Sequence, residues 1–340
     1  PYTPSLPLAP IESSSVLLAL LAVLVGIVIL AVAADQFVIG AARVALIRNV
    51  PSLVVGVIII GFGTSAPEIL VSALAALDGE PDVAVGNIVG SNIANLSLLL
   101  GLGAVIVPLA VDSMTVRREA LMVVGAVVLF GIVVQDGGIG RIEGVVLLAA
   151  MAGALGLITR TRSSDPLGAE TEEFADAAHH RFGIEVLRTV LGLVGTVAAG
   201  RMLLWGALDL ADRAGLSAGF VGATLISIGT SLPELVTVIQ SARRSETDLI
   251  VGNLLGSNLF NSLAAGGVVG LIGAPRFDDT SLTTIAAAAA VIVAVLAALA
   301  MRTNFRVSRV EGALLALSYV IIVPLLACLL YTSDAADERG

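Results

Sequence analysis

The chain has 340 residues, of which 57% are hydrophobic and 13% charged, with a net charge of −9 and a mean hydropathy of +1.01. A soluble domain is about a quarter charged, so this composition excludes a soluble globule and makes lipid the solvent. All 18 basic residues are arginine, which removes the lysine of a Walker A phosphate loop, and a lone cysteine (Cys328) with two histidines (His179, His180) excludes an internal disulfide and thiolate or His-rich metal centres.

Residues 1–15 form a polar lead-in beginning at Pro1, without the basic start of a signal peptide; the chain reads as a fragment or a processed product. Ten apolar runs follow: Val16–Ala34 (its helix continuing to about Leu46), Leu53–Leu77, Val83–Val107, Ala120–Val134, Ile142–Ile158, Val186–Leu208, Phe220–Ala242, Leu249–Ile272, Leu282–Ala300 and Gly312–Leu330. They do not alternate as barrel strands would, and each is long enough to span with its flanking residues. The predicted fold class is therefore an all-α membrane protein with ten transmembrane helices, arranged as two inverted five-helix repeats. The divisions are 16–159, a cytoplasmic linker loop 160–185, 186–330 and a polar tail 331–340. Cys328–Glu338 looks like translated adapter sequence and is assigned no function. In the linker, His179, His180 and the acidic run Glu170–Asp176 read as solvated surface. Trp205 reads as an interface anchor, and Asp35 and Asp209 as capping or interface residues.

Arginine placement sets the orientation. The loops after spans one, three, five, seven and nine carry Arg43 and Arg48; Arg117 and Arg118; Arg160, Arg162 and Arg181; Arg243 and Arg244; and Arg302, Arg306 and Arg309. The opposite loops carry one arginine each (Arg141, Arg213, Arg276) or none. Odd-numbered spans thus exit into the cytoplasm, and both termini lie outside. Five spans per half then force the second half to enter upside down relative to the first.

A duplication supports that reading. An offset of 166 maps Gly63, Thr64, Ser65, Pro67 and Glu68 onto Gly229, Thr230, Ser231, Pro233 and Glu234. The same offset maps Gly86, Asn87, Gly90, Ser91, Asn92 and Asn95 onto Gly252, Asn253, Gly256, Ser257, Asn258 and Asn261. Lipid alone would not hold polar residues, glycine and proline in common between two copies of one unit.

The first unit is Gly-Thr-Ser-x-Pro-Glu. A membrane carboxylate costs about 2.5–3.5 kcal/mol on insertion scales and so marks a functional position. Pro67 and Pro233 each remove a helix hydrogen bond and free the carbonyl four residues back, at Gly63 and Gly229. Unwound backbone at this depth persists only where it is buried or lines a wet cavity. Two broken helices that bring Glu68, Glu234 and carbonyls at Thr64 and Thr230 together make an oxygen site for a hard cation, and two charges balance one divalent ion. The second unit, Gly-Asn-x-x-Gly-Ser-Asn-x-x-Asn, offers a smooth face at Gly86 and Gly90, and at Gly252 and Gly256, for close packing of the broken helix. It also offers neutral oxygens at Ser91, Asn95, Ser257 and Asn261. A lone GxxxG is ordinarily packing and a lone membrane serine an interhelical hydrogen bond; their duplication in opposed halves favours a transport site.

The two motifs resemble the α-repeats of the sodium/calcium exchanger family, within the calcium/cation antiporter superfamily. The resemblance implies Ca²⁺ held by the carboxylates of Glu68 and Glu234 and the carbonyls of Thr64 and Thr230. It implies Na⁺ held by these groups with Ser65, Ser231, Ser91, Ser257, Asn95 and Asn261, and alternating access in which spans one and six slide against the other eight. Many family members carry Asp at one of the last two positions; here both Asn95 and Asn261 are amides. The expected function is secondary antiport of Ca²⁺ against Na⁺ across the plasma membrane, by a non-enzyme without cofactor, ATP or nucleic acid, for which a monomer suffices. Exchange against H⁺, or of another divalent ion, is the nearest alternative, and a cation channel a more distant one.

Overall fold

The computed structural model describes residues 16–48, 50, 61–111, 114–161, 181–273, 276, 277, 279, 282–303 and 305–337. The histidines, the acidic run of the linker and the first part of the second expected span lie outside them.

Almost every described residue is helical. The long helices are α1 (Val16–Ile47), α4 (Pro81–Ile106), α5 (Met114–Val134), α6 (Arg141–Thr161), α7 (Phe182–Ala214), α10 (Thr247–Ile272), α11 (Thr283–Arg302) and α12 (Arg309–Asp337). Between them lie α2 (Gly61–Thr64), α3 (Ala66–Asp78), α8 (Ala218–Thr230) and α9 (Leu232–Arg244). Among the described residues, seven helices are long and apolar enough to cross a membrane, and eight if the bent pair α8–α9 counts as one span. Two of the ten expected spans fall outside that set: Leu53–Leu77 begins before the described residues resume, and Ala120–Val134 corresponds to α5. The last helix runs on through the polar stretch to Asp337.

Helices α4 and α10 are the buried centre, whereas α1, α6, α7 and α12 present much of their apolar surface outward, as lipid allows. Helix α1 lies antiparallel along α7. Gly192 meets the backbone of Phe37, where an added Cβ would stand 2.4 Å from its nitrogen, and at the other end Gly206 meets the Ala19 carbonyl. Small residues allow this backbone approach, which in lipid replaces the hydrophobic effect as the source of helix association. Arg43 at the end of α1 reaches the buried Glu185 near the start of α7 at 3.5 Å, and Arg48 sits over the Phe182 ring, 4.7 Å from its centre.

Loops meet in two groups. At one end β1 (Leu109–Ala110) pairs antiparallel with β2 (Arg306–Val307), and Arg309 donates to the Ile106 carbonyl at 3.3 Å. At the other, the Asp279 N–H donates to Asp82 at 3.2 Å and Phe277 N–H to the Gly137 carbonyl at 2.9 Å. Asp209, read from sequence as a cap or interface residue, lies inside α7, buried, and accepts from Arg213 one turn on at 2.8 Å.

Candidate cation site

Each proline motif breaks a helix at its serine. Ser65 (φ −92°, ψ 5°) ends α2 and Ser231 (φ −84°, ψ 9°) ends α8, in the sparsely populated bridge region. Proline follows at the second residue of the next helix, where its missing N–H costs nothing. The ladder resumes with Ile69 N–H on the Ser65 carbonyl and Leu235 N–H on the Ser231 carbonyl, both at 3.1 Å. The carbonyls of Gly63 and Gly229 have lost their in-helix donors to Pro67 and Pro233. The bend between α8 and α9 is 45°. Each glutamate then falls in the first turn of a helix, beside its positive end.

The second motif runs into a π turn in both halves, Ala94–Leu99 in α4 and Phe260–Ala265 in α10. Such a turn inserts a residue into the helix and re-aims the side chains around it. Asn95 and Asn261 occupy the same second position of it. This feature has no signature in the sequence beyond its repetition.

The halves interlock. The helix bearing Glu68 (α3) packs against the π turn bearing Asn261, and the helix bearing Glu234 (α9) against the π turn bearing Asn95. Gly86 and Gly90 let the backbone of α8 onto α4: an added Cβ on Gly90 would lie 2.2 Å from the Ala223 carbonyl oxygen, and one on Gly86 2.5 Å from that of Gly219. Gly252 and Gly256 meet nothing within 4 Å among the described residues; the 166-residue offset puts their counterpart partners at 53–57, outside those residues.

Glu68 and Glu234 are wholly buried, as are Ser65, Ser91, Asn95, Thr230, Ser257 and Asn261, with Ser231 nearly so. Thr64 is partly buried. Ser231 Oγ donates to Glu68 Oε1 at 3.0 Å, joining the two motifs directly. Ser257 Oγ donates to Glu234 Oε1 at 3.2 Å, so the Thr64 hydroxyl, 3.1 Å from Ser257 Oγ, is the donor in that pair. Asn87, unassigned from sequence, donates to the Glu68 carbonyl at 3.2 Å and to Ser72 Oγ at 2.9 Å, and accepts at 3.2 Å from Thr230 Oγ1, whose hydrogen is shared with the Ser227 carbonyl at the same distance. Asn92, also unassigned, donates across the interface to Ser262 Oγ at 2.9 Å. Their signal was their presence in both copies of the second motif.

Among the described residues, several buried oxygens of the motifs have no hydrogen-bond partner: Ser65 Oγ, Glu68 Oε2, Ser91 Oγ, Asn92 Oδ1, Asn95 Oδ1, Glu234 Oε2, Asn258 Oδ1 and Asn261 Oδ1. An unsatisfied buried polar group costs about 1–3 kcal/mol, and more if charged. Eight such oxygens on the two duplicated motifs, including one from each carboxylate, offer the kind of donor that a hard cation takes.

The family profile described as "Sodium/calcium exchanger protein" matches residues 18–160 and again 184–327. The chain belongs to the sodium/calcium exchanger family. Membership makes it a membrane cation antiporter rather than an enzyme. The exchanger is 37% identical to CaxA of Alkalimonas amylolytica, which carries the name of an antiporter, over 89% of this chain and 97% of that protein. It is 32% identical to the inner membrane protein YrbG of Escherichia coli over 91% and 97% of the two. Among solved structures, the sodium-calcium exchanger NCX_Mj superposes with a TM-score of 0.62 at 29% identity, covering 91% of this chain and 99% of that one.

Proposed function

We propose that the exchanger moves Ca²⁺ in one direction and Na⁺ in the other through a single site between its two motifs. The observation that carries this reading is the set of eight buried oxygens on the two motifs without a partner among the described residues, which includes one on each glutamate. In the proposed assignment Glu68 and Glu234, with the carbonyls of Thr64 and Thr230, hold Ca²⁺. Na⁺ uses the same groups together with Ser65, Ser231, Ser91, Ser257, Asn95 and Asn261. Both ions need the same two carboxylates, so they exclude one another, and this competition couples the fluxes. An empty site bearing two charges in a low-dielectric interior resists crossing, which suppresses leak.

The exchanger is proposed to consist of two five-helix repeats, 16–159 and 186–330, inserted in opposite directions in the plasma membrane. The N-terminus lies outside and the 160–185 loop in the cytoplasm. The matched lengths of the helices that restart after each break and of the π turns, the double profile match and the antiparallel pairing of α1 with α7 support it. The choice of Na⁺ draws on the solved neighbour, described as a sodium-calcium exchanger soaked with Na⁺ and Sr²⁺. It draws also on MaX1 of Methanosarcina acetivorans, named a sodium/calcium exchanger and 24% identical over 90% of this chain and 97% of that protein.

Radiolabelled Ca²⁺ uptake into proteoliposomes with an imposed Na⁺ gradient tests the reading. Uptake driven by outward Na⁺ is expected. Uptake that ignores Na⁺ and follows a pH gradient would replace Na⁺ by H⁺, and unitary currents in place of saturable counterflow would make the protein a channel.

A further inference from the structure

The hydrogen bonds around Glu68 close into a ring. Ser231 holds its carboxylate at 3.0 Å. Asn87 holds its carbonyl at 3.2 Å and accepts from the hydroxyl of Thr230, the residue before Ser231, at 3.2 Å, a hydroxyl equally close to the Ser227 carbonyl in its own helix. Ser72 fixes the Asn87 amide with a further bond at 2.9 Å. Glu68 is thus gripped at both ends, and the grip passes through the broken helix of the other half.

The equivalent ring on Glu234 would run through Ser65, Thr64 and Asn253, and it is open. Among the described residues Ser65 Oγ and Asn253 Nδ2 have no partner, and the Thr64 hydroxyl turns to Ser257. One residue of the ring differs between the halves: the counterpart of Ser72 is Val238, which cannot accept a hydrogen bond.

We propose that Asn87 and Asn253 are positioning residues of the exchange reaction that act in turn. The ring on Glu68 is closed in the state seen here, and the ring on Glu234 closes when the site faces the other side. The inference rests on the antiport reading above. Two copies of one unit inserted in opposite directions trade local conformations when access alternates. An amide nitrogen left without a partner inside a membrane protein is costly, so a state that pairs it is within reach. Asn87 spends both ends of its amide on Glu68, Ser72 and Thr230, and acts on the ion through them. Ser72 adds a bond to the first ring that Val238 denies the second, which favours the state seen here.

The test uses the full chain with Asn87→Ala, Asn253→Ala and Val238→Ser. Turnover and Ca²⁺ KM are measured from each side of reconstituted vesicles, and deuterium uptake over 61–78 and 218–244 in ion-free protein. Loss of the Asn87 hydrogen bonds to Glu68, Ser72 and Thr230, or of their counterparts at Asn253, is expected to slow turnover about three- to tenfold in either asparagine variant. KM should rise on one side for Asn87→Ala and on the opposite side for Asn253→Ala. Val238→Ser, which offers Asn253 a hydroxyl acceptor, should shift deuterium uptake between the two broken helices. An Asn253→Ala protein with wild-type turnover and KM overturns the proposal and leaves Asn87 a structural residue, as does an equal KM change on both sides in each variant. Should Ca²⁺ flux be absent and unaffected by Glu68→Gln, the antiport reading falls by itself. Deuterium uptake, which needs no transported ion, still decides the alternation: patterns identical to wild type in Asn253→Ala and Val238→Ser refute it.

Discussion

Glu68 accepts its hydrogen bond from Ser231, on the opposite half, whereas Glu234 accepts from Ser257, on its own. The two glutamates stand in near-identical local sequences, each just after a proline and in the first turn of a 13-residue helix. The break, the helix restart and the π turn recur in both halves because they follow from local chain chemistry. The partners differ because they depend on how one half is seated on the other. Duplicated sequence thus builds two like frames, and packing decides which hydroxyl serves which carboxylate.

The strongest way to break this comparison is to neutralise the glutamates one at a time. Glu68→Gln and Glu234→Gln keep side-chain size and remove the charge that would balance a divalent ion under the proposed reading. Each is expected to lower exchange by at least about a hundredfold while the protein still elutes as a folded species, because a buried neutral amide costs less than a buried charge. Equal losses would show that the two frames contribute one carboxylate each; wild-type exchange in either variant would remove that glutamate from the site.

Packing gives the next largest effect. Gly90→Ala places a Cβ 2.2 Å from the Ala223 carbonyl oxygen, which is backbone and cannot turn aside. Overpacking of this kind costs about 1–3 kcal/mol, to be read as a lowered thermal midpoint in detergent. Gly256→Ala should cost the same if residues 53–57 lie on α10 as α8 lies on α4. A Gly256→Ala protein as stable as wild type would mean that the halves are packed unequally.

Ser231→Ala tests the crossed hydrogen bond. Loss of a bond to a charged acceptor is worth about 1.5 kcal/mol or more, and the half-saturating Na⁺ concentration should rise about tenfold. Ser65→Ala, whose hydroxyl has no partner, should shift it less. The opposite ranking would show that the asymmetry in hydrogen bonding has no bearing on Na⁺.

The smallest effect is expected at Arg201, which pairs with Asp78 at 3.2 Å while its side chain remains 51% exposed. Arg201→Ala should change stability by less than about 0.5 kcal/mol, because an exposed pair gains little over its hydrated parts. A large loss of exchange there would give this pair a role in the cycle.

Much of this was legible before any coordinates. Glu68 and Glu234 stood out because a carboxylate in apolar sequence has a known cost, and Pro67 and Pro233 because the missing N–H breaks a helix wherever it falls inside one. Gly86 and Gly90 were readable as a close-packing face for a broken helix, but not which half would supply that helix, since a glycine records that something comes near and not where it comes from. Asn87 and Asn92 gave only the signal of repetition, and the pairing of Asp209 with Arg213 was not legible because Arg213 lies beyond the expected end of the span, one turn on within the same helix.

The sequence by itself determined that the chain lives in lipid, that it is built from one unit used twice, and that each unit carries one carboxylate behind a proline. These are properties of composition, periodicity and single residues, and they survive any arrangement of the helices. Only the tertiary structure decided that each broken helix lies on the π-turned helix of the other half, that Ser231 reaches Glu68 while Ser65 reaches nothing, and that Asn87 closes a ring where Asn253 leaves one open. Those outcomes depend on distances of about 3 Å between residues far apart in the chain, which no local pattern encodes.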